Sequence, residues 1–129
     1  MPATAVPAEY AALVARVEAF SARVTAAQGA YLRCRVGCDG CCRTRRTAFA
    51  VEVAAVRDHL SRLPAADVEA LRARRTHPEV VAGTRCVFLD DAGACAVYAA
   101  RPLLCRTHGP AVRAPDGGVS FCALNFRSE

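Results

Sequence analysis

The chain has 129 residues, 53% hydrophobic and 22% charged, with a formal net charge of +5 and arginine as its only strongly basic residue type. That length suits one domain over 1–129 with a core of its own. The composition excludes wholesale disorder, and no apolar run approaches the roughly 20 residues of a membrane-spanning helix.

The first residues, Met1 to Glu9, lack the basic start and sustained apolar stretch of a secretory signal. A cytoplasmic, reducing setting is therefore expected, where clustered cysteines bind metal more often than they form disulfides. Residues 8–28 read as an amphipathic helix, with Tyr10, Leu13, Val14, Val17, Phe20 and Val24 at helical spacing. Pro7 suits its start and Gly29 its end. This helix is expected to pack on the rest of the domain, because three turns of pattern are too few for a dimerising coiled coil.

The segment Cys34-Arg35-Val36-Gly37-Cys38-Asp39-Gly40-Cys41-Cys42 then sets four sulfurs close together. After Arg43, Arg45 and Arg46, the pattern predicts a second helix over 48–63, with Val51, Val53, Val56 and Leu60 in the core and Glu52, Arg57 and Asp58 polar. Pro64 breaks it. A third helix over 65–76 carries Val68, Leu71, Arg72, Arg74 and Arg75, and Pro78 and Gly83 close the helical half. Cys86–Leu89 and Cys95–Tyr98 flank the turn-forming residues Asp90–Gly93, which predicts a small hairpin. Arg101–Arg106 reads as one or two helical turns, and Thr107–Glu129 as loop with a turn at Asp116–Gly118. The expected class is mainly α with a small β-hairpin: three N-terminal helices and an irregular cysteine-rich C-terminal half.

Thiolates are strong ligands for zinc and for iron–sulfur clusters, and short Cys–x–x–Cys steps aim several sulfurs at one ion. Glycines at positions 37 and 40 suit a tight loop around a metal. Cys34, Cys38, Cys41 and Cys42 thus read as half of a metal site. Cys86, Cys95, Cys105 and Cys122 supply the other half once the chain folds. Two sites of four thiolates, each carrying about −2 with its ion or cluster, would bring the molecule to about +1. The basic excess is then poor evidence for nucleic acid. Adjacent Cys41 and Cys42 point to different sides of an extended backbone, which favours two neighbouring metals or a larger cluster over one shared zinc. The competing reading for either is a buried, unligated thiol. The spacing Cys34–x3–Cys38–x2–Cys41 also matches enzymes that cleave S-adenosylmethionine, but the chain is too short for their barrel of ~200 residues or more.

Taken together, Cys34–Cys42, Cys86–Cys95, Tyr98 and Arg101–Arg106 resemble the CxxCxxCC (YkgJ-like) cysteine-cluster family, described as zinc- or iron-chelating domains. The resemblance covers roughly 34–122. It implies metal binding by Cys34, Cys38, Cys41, Cys42, Cys86, Cys95 and Cys105, and Cys122 resembles a late cysteine found in some members. Glu52 sits where that family tends to have a glutamate. The implied cofactor is zinc or iron, an iron–sulfur cluster included. His108 is close enough to Cys105 to replace a sulfur, although an exposed loop histidine is the favoured reading, and His59 and His77 read as surface residues. Arg101 and Arg106 bracket Cys105 and are expected to offset thiolate charge.

The function that follows is a metal-binding protein without catalysis of its own. Weighed beside it are an iron–sulfur redox or group-transfer enzyme or accessory subunit, an exported disulfide scaffold and, last, a nucleic-acid module. No nucleotide-binding glycine motif or catalytic triad stands out, and only Asp39 and Glu52 are carboxylates worth connecting with the site. The expected partner is another protein or an acceptor of the metal, with neither membrane nor nucleic acid.

Overall fold

Alanine-rich sequence beyond Pro7 favours helix, and α1 spans Ala8–Gln28. The computed structural model describes residues 5–32, 40–43, 46–108, 111–122 and 124–125. Gly29 ends α1 and opens a 3₁₀ turn, Gly29–Tyr31. The apolar stripe is narrower than its pattern suggests: Tyr10 is buried, whereas Leu13 and Phe20 are 41% and 59% exposed. The cause is the size of the helix it packs on. α5, Leu103–Thr107, is only five residues long and covers one side of the stripe. Arg23 lies over the Phe20 ring instead, 5.7 Å from its centroid.

α2 spans Ala50–Leu60, shorter at both ends than 48–63. Its start is fixed by Glu52, whose side chain accepts the Phe49 N–H at 2.7 Å. At its end Ser61, Arg62 and Leu63 turn through short-range bonds, with the Ser61 hydroxyl donating to the Asp58 carbonyl at 2.6 Å. Glu52, read from the sequence as a polar position, is only 4% exposed. α3 spans Ala65–Arg74 and buries Leu71.

Pro78 does not close the helical half. It opens α4, Pro78–Ala82, because its missing N–H falls where a helix needs none. The His77 ring accepts the Glu79 N–H at 3.2 Å. Gly83, at φ 79°, ends the helix, and Thr84 N–H reaches back to the Glu79 carbonyl at 2.9 Å.

The antiparallel strand pair lies elsewhere than expected. Between Cys86 and Tyr98 a single bridge, Leu89 opposite Cys95, takes its place. Groups that longer strands would pair are used in turns on either side, Leu89 N–H to Cys86 O at 3.1 Å and Tyr98 N–H to Cys95 O at 3.2 Å. The strands are β1, Val112–Arg113, and β2, Val119–Ser120, in the stretch read as loop. The Asp116–Gly118 turn joins them: Gly117 has φ 87° and Asp116 accepts the Gly118 N–H at 2.8 Å.

Helix makes up 57% of the described residues against four strand residues, so the class is mainly α with a small hairpin in one small domain. Among the described residues the buried apolar side chains are Tyr10, Val56, Leu71, Leu89 and Val97. No helix among them is long and apolar enough to cross a membrane.

Candidate metal centre

Gly40–Arg43 forms a 3₁₀ turn carrying Cys41 and Cys42. Backbone docks it on the next cysteine segment, with Cys86 N–H donating to the Cys42 carbonyl at 2.7 Å. Ion pairs secure the same junction. Arg43 donates to Glu79 at 3.0 Å, and Arg85, its side chain 11% exposed, lies 3.9 Å from the same carboxylate. Arg85 also donates to the Leu89 carbonyl at 3.0 Å and to Asp91 at 3.3 Å.

Asp90 then folds the chain back. Its carboxylate accepts the N–H groups of Ala92 and Ala94, each at 2.9 Å, and Gly93 at φ 80° supplies a backbone conformation other residues resist. Cys95 is thereby set opposite Leu89. A 3₁₀ turn, Tyr98–Ala100, and then α5 bring Cys105 to the same region.

The thiols sense one another. Burial, then the neighbouring sulfurs of Cys41, Cys86 and Cys95, push Cys42 up to about 12, and a hydrogen bond with the Cys41 thiol adds to this. Burial also raises Cys95. There the Val97 N–H and the Arg101 guanidinium oppose the shift, while Cys86 and Asp90 reinforce it. Cys105 is raised by burial and by Cys86, Cys41 and Cys95, against Arg101. Cys41, Cys42, Cys86, Cys95 and Cys105, from three stretches of chain, therefore share one electrostatic neighbourhood.

Cys34, Cys38, Asp39 and Arg45 lie outside the described residues. Cys122 is partly buried, its carbonyl accepting the Asn125 N–H at 2.9 Å, and it is not among the groups acting on the Cys42, Cys95 and Cys105 thiols. The six described cysteines are all free thiols. As they stand, no three Cys, His, Asp or Glu side chains among the described residues meet at ion-binding distance. The donor chemistry nonetheless fits a thiophilic metal: soft sulfurs held partly out of water, with a cation beside them.

Cys41 and Cys42 depart from the expectation of opposite directions. That expectation belongs to extended backbone, whereas here the pair sits in a 3₁₀ turn and the two thiols hydrogen-bond. His108 is half-buried at the end of α5, where burial and then Arg46 lower its pKa, and it is not among the groups acting on the Cys42, Cys95 and Cys105 thiols. Arg101 sits beside the Cys95 and Cys105 thiols, anchored 3.7 Å over the Tyr98 ring and by bonds to the Tyr98 and Cys105 carbonyls at 3.0 and 3.4 Å. Arg106 has a different task. It donates to Glu18 of α1 and to the Arg101 and Ala99 carbonyls, the last two at 2.8 and 2.7 Å, tying α1 to the segment before α5.

Glu79, Arg85 and Asp90 build this site without having stood out as site residues in the sequence. Only Asp90, beside a turn glycine, carried a local signal.

The model of the family described as "CxxCxxCC: Putative zinc- or iron-chelating domain" matches residues 33–121. The chain belongs to the CxxCxxCC family. The matched stretch of this CxxCxxCC domain takes in Cys34, Cys38, Cys41, Cys42, Cys86, Cys95 and Cys105, and it leaves α1 and Cys122 outside. No curated protein and no solved structure matches the chain.

Proposed function

We propose that this domain binds zinc or iron through thiolates, with Cys41, Cys42, Cys86, Cys95 and Cys105 as the nucleus of the site and Cys34, Cys38 and Cys122 completing eight sulfur donors. The observation that carries the reading is the shared neighbourhood of the first five, joined by the Cys86-to-Cys42 backbone bond. Binding draws these thiols inward and displaces their protons, because the thiolate and not the thiol is the ligand. Arg101 offsets the charge that develops and holds the carbonyl of Cys105. Bound metal cross-links stretches of chain that are distant in sequence.

The role is chelation and hand-over rather than catalysis. Its setting is a reducing compartment, where the thiols stay free, and its partner is the protein that receives the metal. Purification without oxygen, followed by elemental analysis and an optical spectrum, tests this reading. Near-stoichiometric zinc, or iron with or without the broad absorption near 400 nm of an iron–sulfur cluster, is the expected result. Protein that holds neither metal, and takes up neither when offered, sinks the reading.

A further inference from the structure

Glu52 of α2 is a carboxylate only 4% exposed. One oxygen accepts the Phe49 N–H at 2.7 Å, which belongs to the start of its own helix. The other accepts the Leu103 N–H at 2.9 Å, from a residue distant along the chain. Leu103 is the first residue of α5, two positions before Cys105. As the first N–H of the helix it has no acceptor within α5, and Pro102, at the cap position, offers no side-chain acceptor. One carboxylate thus supplies the missing acceptor at two helix starts.

Both bonds have a charged acceptor and backbone donors, the strong class of hydrogen bond. Together they fix the start of α5 relative to α2, and with it the sulfur two residues on. Tyr10 of α1 packs close enough to feel the carboxylate. We propose that Glu52 is a positioning residue for Cys105. Its two backbone bonds aim that thiol at Cys41, Cys86 and Cys95, and it is not itself a ligand. The proposal rests on the metal-binding reading only in that Cys105 is taken as a ligand.

Two measurements test it, one with metal and one without. In cobalt(II) titrations of the full chain, Glu52→Ala weakens binding about 10- to 100-fold, the usual scale for groups that orient a ligand. Glu52→Gln, which keeps one acceptor, falls between it and the wild type and serves if the alanine variant does not fold. Both lower the sulfur-to-cobalt charge-transfer absorption by the share lost in Cys105→Ser. In the double variant Glu52→Ala/Cys105→Ser, the loss is no greater than in Cys105→Ser alone. Leu71→Ala, a core change away from α5, lowers the melting temperature while the cobalt spectrum per bound ion stays unchanged.

In the metal-free protein, mass spectrometry after brief iodoacetamide treatment shows Cys105 modified faster than in the wild type in both Glu52 variants, with Cys122 unaffected. Additive losses in the double variant, or Cys105 labelling that matches wild type, overturn the proposal. So does a cobalt spectrum that loses carboxylate rather than thiolate character. If Cys105→Ser binds cobalt as wild type does, the ligand role of Cys105 fails on its own, and the labelling result still decides whether Glu52 positions that thiol.

Discussion

α1 and the stretch from Arg85 to His108 divide the molecule between regularity and tight packing. The long helix is the most regular element, yet among its described residues it buries only Tyr10 and leaves Leu13 and Phe20 facing outward. The cysteine-bearing stretch has one bridge, one 3₁₀ turn and one short helix, yet Leu89 and Val97 there are each 1% exposed. Backbone order and interior packing are separate quantities. Among the described residues the most deeply buried apolar side chains, Leu89 and Val97, lie in the cysteine-bearing stretch, where Arg85, Asp90, Arg101 and Arg106 spend their hydrogen bonds on backbone that periodic structure does not serve.

The largest test of that contrast is metal itself. Zinc at a thousandfold excess over its dissociation constant should stabilise the fold by about 4 kcal/mol, read as a shift in the urea midpoint. Cys86→Ser should lose most of this gain, and Leu13→Ser should keep it. Equal gains in the two variants would remove the link between the irregular stretch and stability.

Next in size is core truncation. Leu89→Ala should cost about 2–5 kcal/mol in urea unfolding, whereas Leu13→Ala, from a site 41% exposed, should cost below about 1 kcal/mol. Comparable costs would mean α1 is as closely packed as the turns.

Arg106 sharpens the comparison at the seam between the regions. Its side chain is 7% exposed, so Arg106→Ala should cost about 2 kcal/mol through partners left unsatisfied. Arg72→Ala, which breaks an exposed pair at 3.0 Å to Glu69, should change stability by less than about 0.5 kcal/mol.

A further test is the pH dependence of the metal-free protein. The Cys42 thiol is raised in the fold from 9.0 to about 12, so the unfolded chain releases that proton first. This contribution to metal-free stability is present below about pH 9 and is lost as pH rises towards 12. Thermal melts at rising pH should show the decline, and Cys42→Ser should flatten it.

Local rules made some parts of the molecule readable from sequence. The ends of α1 follow from Pro7 and Gly29, and the turn at Asp90–Gly93 follows from residue type. The helical turn after Pro102 was legible for the same reason. The ordered cysteine spacing singled out the family and the thiols brought together here. What escaped depended on partners remote in sequence. Glu52 reads as a polar position on an amphipathic helix until the Leu103 N–H arrives opposite it. Arg106 reads as a cation near sulfur until Glu18 and two carbonyls claim it. The strand pair was misplaced because the residues around Leu89 and Cys95 have strand character, but their neighbours' backbone groups are engaged in turns.

The bond from Cys86 N–H to the Cys42 carbonyl is made by main chain alone and needs no ion to form. Loop-closure entropy between these two segments is then settled during folding rather than at capture. On the proposed metal-binding reading, uptake would be a local tightening of two segments already in register, and loss of the ion would leave them in register.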